Sequence, residues 1–121
     1  MTISGPAERL TIYIGESDRH RHTALHSEIV HRAHAAGMAG ASAWRGFEGF
    51  GANNHIHTTR ILSLSEDLPV MVEIIDTTEK IDAFLPHLEE LAISGLIVRE
   101  PLHVVLYGQG AEQGPDTADP A

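Results

Sequence analysis

The sequence predicts an α+β domain with a ferredoxin-like fold, in which a four-stranded antiparallel sheet carries two helices on one face. Three observations lead to this prediction. Apolar residues alternate in four extended segments, they recur at helical spacing in two others, and these segments follow the order β-α-β-β-α-β. Two βαβ units can interleave in one sheet, and a chain of 121 residues is long enough for one such domain.

The first half of the chain supplies a strand, a helix and a second strand. Arg9–Gly15 alternates apolar and polar residues and is predicted to be a strand, whereas His22–Ala36 has the apolar spacing of a helix. Gly37 and Gly40 follow this helix and are typical of a helix end and a turn. Ala41–Gly46 is predicted to be the second strand.

The second half repeats this order with different residues. Leu68–Ile75 is rich in β-branched residues and is predicted to be the third strand. Asp76 or Thr77 can cap the second helix. Pro86 lies inside the helical pattern and predicts a kink or a break, and Gly95 is predicted to end the helix.

Leu96–Tyr107 is the last extended segment, and Pro101 within it indicates an edge strand, a bulge or two short pieces. The composition changes on both sides of the domain. Residues 1–7 are predicted to form a flexible tail, residues 8–107 the folded domain, and residues 108–121 a disordered acidic tail rich in Gly and Pro.

Composition excludes several classes of partner and chemistry. Eight basic and seventeen acidic residues give a formal net charge of −9, which argues against nucleic acid or an anionic membrane as the main partner. The absence of cysteine excludes disulfides and thiolate metal sites. There is no signal-peptide pattern and no apolar run long enough to insert into a membrane, so we expect a cytoplasmic protein.

The strands predict that the protein is an oligomer. In the third strand Val70, Val72 and Ile74 alternate with Met71 and Ile75, so both sides of the strand carry apolar residues. Two helices on one face of the sheet can cover only one side. An exposed apolar surface is rare in soluble monomers, so we expect the other side to be buried between subunits.

A glycine-rich segment between the second and third strands is the candidate binding site. Gly46, Gly49 and Gly51 can present backbone N–H groups to an anion such as a phosphate. The spacing matches neither the P-loop nor the dinucleotide-binding pattern, since neither GxxxxGK[ST] nor a following helix is present. The alternative is that these glycines serve only a turn or a bulge at a strand end.

Three arginines could supply positive charge to the same site. Arg45 and Arg60 bracket the loop, and Arg99 follows Gly95. A guanidinium binds phosphate or carboxylate bidentately, but each arginine could instead form a surface ion pair with one of the seventeen acidic residues.

Nine histidines raise the alternative of a metal site. His55 and His57 are two residues apart, so an extended backbone would point both side chains the same way. A zinc site needs three or four converging ligands, and no carboxylate completes a recognisable zinc motif here. The histidines can equally be solvated or packing residues. No GxSxG pattern or pair of catalytic carboxylates is present, so the sequence predicts no enzyme activity.

The segments described above resemble a conserved-domain family of unknown function that belongs with the PII-like signalling proteins. The resemblance covers about residues 8–107 and is carried by Leu10–Glu16, Gly40–Gly51, Leu64–Pro69 and Asp76, with RGFEGFG and LSEDLP as its specific blocks. It implies a PII-like ferredoxin fold and a homotrimer whose sheets line the centre. It also implies a mobile loop at about residues 47–60 and a ligand cleft between subunits.

In PII proteins the cleft takes adenine nucleotides, so the resemblance implies a small anionic effector, an adenine nucleotide, as ligand. By position, the ligand would contact Gly46, Gly49 and Gly51, then Gly95 and Arg99. The loop would report the bound effector to a protein partner, which could be a membrane transporter or an enzyme. Two alternatives stay open: a metal-binding trimer that uses its histidines, as in divalent-cation-tolerance proteins, and a structural oligomer without a ligand.

Overall fold

The computed structural model of the protein describes residues 3–51, 57–58 and 67–108. Within these residues the elements follow one another as β1 (Ile3–Gly15), β2 (Arg19–His20), β3 (Thr23–Ala24), α1 (Leu25–Ala35), β4 (Ala41–Arg45), β5 (Glu48–Gly49), β6 (His57–Thr58), β7 (Pro69–Asp76), α2 (Thr78–Leu91) and β8 (Leu96–Tyr107).

Four of the strands form one antiparallel sheet in the order β4-β7-β1-β8. Each helix connects two strands that a third strand separates: α1 connects β1 to β4 across β7, and α2 connects β7 to β8 across β1. This topology confirms the predicted ferredoxin-like α+β fold. The short pairs β2-β3 and β5-β6 are hairpins outside this sheet.

The core lies between one face of the sheet and the two helices. In β7 every second residue is buried, because side chains alternate between the two faces of a strand, and in β1 Leu10, Ile12 and Ile14 face the core in the same way. The helices contribute stripes three or four residues apart to the same cluster. The cluster is formed by Leu10, Ile12, Ile14, Leu25, Ile29, Ala33, Val70, Val72, Ile74, Ile81, Phe84, Leu88 and Leu91.

The second helix begins as predicted, but it does not break or end where the sequence suggested. The Thr77 hydroxyl accepts a hydrogen bond from the Lys80 N–H at 3.3 Å and caps the helix. The helix continues through Pro86, which lies on its exposed side. The buried residues before and after Pro86 hold both halves of the helix to the sheet. It ends at Leu91, and Ala92 takes the left-handed conformation that was expected of Gly95.

The first helix is shorter than predicted. The charged connection before it forms the β2-β3 hairpin, and the helix begins at Leu25 rather than at His22. Arg21 lies in the turn of this hairpin with φ of 58°, a backbone conformation that the apolar periodicity of the following residues could not predict.

The first strand extends into the segment that was predicted to be a flexible tail. It begins at Ile3, which pairs with Tyr107 of β8, and both Ile3 and Ala7 are buried. β8 runs without a break through Pro101, and it is an edge strand of the sheet, as the proline indicated. Of the predicted disordered tail 108–121, residues 109–121 lie outside the described residues.

The face of the sheet that the helices leave uncovered, here called the open face, is apolar in one row. Trp44, Met71, Tyr13 and Leu96 are directly opposite one another across the four strands. Trp44, Tyr13 and Leu96 are 56%, 44% and 57% exposed. Two rows further along, Arg9 lies 3.3 Å from Glu100, so the open face is less uniformly apolar than the alternation of β7 suggested.

Candidate functional site

A cleft of about 880 Å³ lies at one end of the sheet. It is formed where the end of β1, the segment after β5, the start of β7 and the turn between α2 and β8 meet. Glycine backbone, two aromatic rings and three charged side chains are among its described lining. The glycines are Gly15, Gly49, Gly51 and Gly95, the aromatic residues Tyr13 and Phe50, and the charged residues Asp18, Arg19 and Asp67.

Gly95 is required because two backbone segments approach closely beside the cleft. A Cβ atom at this position would lie 2.2 Å from the carbonyl oxygen of Tyr13. The turn after α2 therefore lies directly against the end of β1, which brings the two walls of the cleft together. Gly95, which was predicted to contact a ligand, lies in the lining of the cleft. It does not end the helix, as was also predicted, because α2 ends at Leu91.

The glycine-rich segment packs across the ring of Pro69. Cβ atoms at Gly46 and Gly49 would lie 3.0 and 3.1 Å from the Pro69 Cγ atom. The Gly46 N–H donates to the Pro69 carbonyl at 2.7 Å, so this amide is already used within the chain. Gly51 differs, because a Cβ atom there would lie within 4 Å of none of the described residues.

Two carboxylates surround Gly15 at the end of β1. The Asp18 carboxylate accepts a hydrogen bond from the Gly15 N–H at 3.0 Å, and the Asp67 carboxylate accepts one from the Ser17 N–H at 2.7 Å. A Cβ atom at Gly15 would lie 2.7 Å from Asp67, so any larger residue would displace this carboxylate. The sequence did not show that Asp67 would line a cleft.

The predicted group of arginines does not assemble at the cleft within the described residues. Arg45 is exposed, and its Nε atom lies 3.7 Å from Glu16. Arg60 lies outside the described residues. Neither Arg45 nor Arg99 is among the described lining of the cleft.

Arg99 is held by acidic residues on the helix side of the sheet. Its guanidinium lies 2.6 Å from Glu8 and 2.9 Å from Asp82 of α2. Hydrogen bonds from Arg99 and then from Thr78 lower the pKa of Glu8, and the bond to Glu8 and then that to Asp82 raise the pKa of Arg99. Arg99 lies opposite Leu10, four residues and about 13 Å along β1 from the Ile14 end at the cleft.

Of the six predicted ligand residues, the cleft therefore brings together Gly49, Gly51 and Gly95. Sequence reasoning missed Tyr13 and Phe50, although Phe50 belongs to the RGFEGFG block and could have been considered with its glycines.

The described residues provide no set of ligands for the alternative of a metal site. Among them, no three His, Asp or Glu side chains are grouped so that they could hold an ion. The side chains of His55 and His57 lie outside the described residues.

Neither described helix is long and apolar enough to span a membrane.

Comparison with solved structures identifies the fold as that of PII-like proteins. CPII from Thiomonas intermedia, a nitrogen regulatory PII-like protein whose structure is bound to ADP, AMP and bicarbonate, has a TM-score of 0.55 at 18% identity, covering 86% of this chain and 91% of CPII. CutA from Synechococcus elongatus has a TM-score of 0.53 at 13% identity, covering 88% of this chain and 84% of CutA. At these identities the likeness shows the fold alone.

The chain belongs to the DUF190 family, described as an uncharacterised conserved family, whose model matches residues 7–104. A UPF0166 protein of Aquifex aeolicus is 32% identical over 96 residues, which are 79% of this chain and 90% of the relative. A UPF0166 protein of Methanocaldococcus jannaschii is 32% identical over 99 residues, which are 81% of this chain and 91% of the relative. The family assignment confirms the resemblance that the sequence blocks indicated.

Proposed function

We propose that the protein is a cytoplasmic PII-like signalling regulator rather than an enzyme. It forms a homotrimer, binds a small effector in clefts between subunits, and acts on a protein partner through the loop at about residues 47–60. The effector is an adenine nucleotide, and the partner is a membrane transporter or an enzyme.

One observation carries this proposal: the cleft of about 880 Å³ lies at the base of the glycine-rich loop. A volume of this size suits a drug-sized or nucleotide-sized ligand. Phe50 and Gly51 belong to the cleft lining and are also part of the loop at about residues 47–60. The fold neighbour CPII, with ADP and AMP bound, supports a nucleotide as the ligand.

The trimer is supported by the apolar row of the open face, Trp44, Met71, Tyr13 and Leu96. Tyr13 and Leu96 also line the cleft, so a subunit packed on the open face would lie beside the cleft. Burial of this row between subunits would remove exposed aromatic surface from water. We therefore infer that the complete cleft includes residues of a neighbouring subunit.

The mechanism follows from the position of the ligand at the base of the loop. A ligand that contacts Phe50 and Gly51 has different contacts in different loop conformations, so its binding shifts their populations. A protein partner that prefers one of these conformations is then bound or released. The chain itself needs no chemical step for this kind of signalling.

The test is calorimetric titration of the purified oligomer with AMP and ADP. Gly51→Val should weaken binding at least about tenfold, or about 1.4 kcal/mol, because the added side chain enters the cleft. No described residue lies within 4 Å of a Cβ atom at Gly51, and φ there lies outside the left-handed region, so the fold should tolerate the change.

Gly40→Val is the matched control. Gly40 also has open space around its Cβ position, but it lies between α1 and β4 and outside the described cleft lining. The control should bind like the unchanged protein. Absence of heat with either nucleotide, together with no increase in melting temperature, would argue against the proposed function, since a ligand at about 100 times its Kd stabilises by about 2.7 kcal/mol.

A further inference from the structure

We propose that the cleft receives the uncharged nucleoside part of the effector and leaves its phosphates outside, so that affinity does not increase with phosphate number. This inference rests on the nucleotide-binding function proposed above. It states which part of the ligand supplies the binding energy and therefore which nucleotides the protein can distinguish.

The charges of the described lining do not favour a phosphate within the cleft. Asp18 and Asp67 bring two carboxylates, and Arg19 brings one guanidinium, so the described lining has a balance of one negative charge. Arg19 already donates a hydrogen bond to the carbonyl of His22. A phosphate group placed between the carboxylates would be repelled by both.

The two carboxylates are fixed in place rather than free to turn away. Backbone N–H groups of Gly15 and Ser17 hold Asp18 and Asp67 at 3.0 and 2.7 Å. A carboxylate accepts hydrogen bonds, and the hydroxyl groups of a sugar donate them, whereas phosphate oxygens at neutral pH are acceptors. This end of the cleft therefore suits a sugar better than a phosphate.

Backbone amides that could hold a phosphate are partly used within the chain. The Gly46 N–H donates to the carbonyl of Pro69, and the Gly15 N–H donates to Asp18. These two amides are therefore not available to form an anion-binding concavity of the kind that the glycine spacing suggested. Gly49 and Gly95 of the cleft instead permit close packing, against the Pro69 ring and the Tyr13 carbonyl.

The apolar part of the cleft suits a base. Phe50 lines the cleft and is 64% exposed, so its ring is accessible to a planar ligand. Stacking on an aromatic ring depends on the base and not on the number of phosphates. The Phe50 ring can therefore contribute equally to the binding of a nucleoside and of its phosphorylated forms.

The test compares adenosine, AMP, ADP and ATP on the full-length oligomer by calorimetry, in EDTA and at about 0.15 M ionic strength. We expect adenosine and AMP to bind at least as tightly as ADP, and affinity to fall about two- to threefold for each further phosphate because of charge repulsion. Affinity that rises about tenfold or more from adenosine to ADP or ATP would overturn the inference while supporting the proposed nucleotide function. No binding by any of the four would overturn both.

The variant Asp67→Asn removes one charge and keeps an oxygen that can accept from the Ser17 N–H. It should raise ATP affinity about threefold and leave adenosine affinity within about twofold, and Asp18→Asn should act in the same direction. Glu79→Gln removes one charge from the first turn of α2, twelve residues and about 18 Å along the helix from Leu91, and is the matched control. If affinity depends on phosphate number equally in the two aspartate variants and in the control, Asp18 and Asp67 are not the groups that repel the phosphates.

Discussion

Individual residues at the cleft are determined by close approaches of the backbone more than by the need for unusual dihedral angles. Gly95 and Gly15 lie where a Cβ atom would meet the Tyr13 carbonyl or the Asp67 carboxylate. Neither has φ in the left-handed region. The predicted glycine-rich segment contributes Gly49 and Gly51 to the same cleft, whereas Gly15 and Gly95 are explained by these close approaches.

Arg99 shows that the position of a residue in the sequence does not predict which side chains it contacts in the fold. It was predicted beside the ligand because it follows Gly95. In the structure its guanidinium binds Glu8, ninety-one residues away in the sequence, and Asp82. The ion-pair alternative for Arg99 is therefore the one that the described contacts favour.

The pairing of Glu8 with Arg99 predicts a pH-dependent effect of Glu8→Gln on stability. The pKa of Glu8 lies below its ordinary value of 4.5, chiefly because Arg99 and then Thr78 donate hydrogen bonds to its ionised form. A lowered folded-state pKa contributes stability above the unfolded-state pKa, and this contribution is lost as pH falls through the folded-state value. Glu8→Gln should therefore lower the melting temperature at neutral pH and have little effect in acid well below pH 4.5.

Thermal unfolding followed by circular dichroism across this pH range checks the prediction. Glu89→Gln, which removes an exposed carboxylate from the last turn of α2, serves as the control and should show no such pH dependence. If the difference in melting temperature between Glu8→Gln and the unchanged protein is as large in acid as at neutral pH, Glu8 acts through packing rather than through its charge.

Among the elements, α2 shows how buried contacts outweigh a local signal. Pro86 lacks an N–H donor, and its ring crowds the preceding turn, so a break was a reasonable prediction. Phe84 and Leu88 on either side of it are buried against the sheet. Burial of side chains of this size contributes roughly 1.5–3 kcal/mol each, which is comparable to the cost of the proline.

The cap of α2 was predictable because its cause is local. Thr77→Ala should lower the free energy of unfolding by about 1 kcal/mol, since the Lys80 N–H loses its acceptor. Urea unfolding measures this change. Thr77→Ser keeps the hydroxyl and should retain most of the stability, so equal losses in both variants would mean that the methyl group rather than the cap matters.

At the scale of the whole molecule, we expect the open face to determine how the chain assembles. Its apolar row passes across all four strands, but Arg9, Glu73 and Glu100 occupy the same face further along. We expect the subunits to meet chiefly at the row of Trp44 and Tyr13, which is the end nearer the cleft. The assembly and the ligand site are then linked through shared residues.

Met71→Glu tests this assembly because Met71 lies between Trp44 and Tyr13 in the apolar row. Burying an unpaired carboxylate between subunits costs several kcal/mol, so the variant should sediment and scatter light as a monomer. The unchanged protein should behave as a trimer. Ala83→Glu adds the same charge at an exposed position of α2 and should stay trimeric; a trimeric Met71→Glu would exclude this row from the interface.

The sequence alone determined the fold class and the approximate bounds of three of the four main strands, β4, β7 and β8. Alternation in β1 and β7 and the helical stripes are local patterns, and they allow few ways to bury every apolar face in one sheet. The same local patterns also placed the cap of α2 at Asp76 or Thr77, and the structure shows that it is Thr77. They could not predict that β1 would begin at Ile3, because Gly5 and Pro6 conceal a strand that pairing with β8 stabilises.

Tertiary structure alone decided which charged groups meet. Asp67 comes to lie over Gly15, and Arg99 beside Glu8, only once strand register places residues about fifty and ninety positions apart next to each other. Periodicity specifies which face a side chain occupies, whereas register specifies its neighbour, and register depends on the packing of the whole sheet. The chemistry of the cleft therefore follows from how the strands align, and its location follows from the local pattern of glycines.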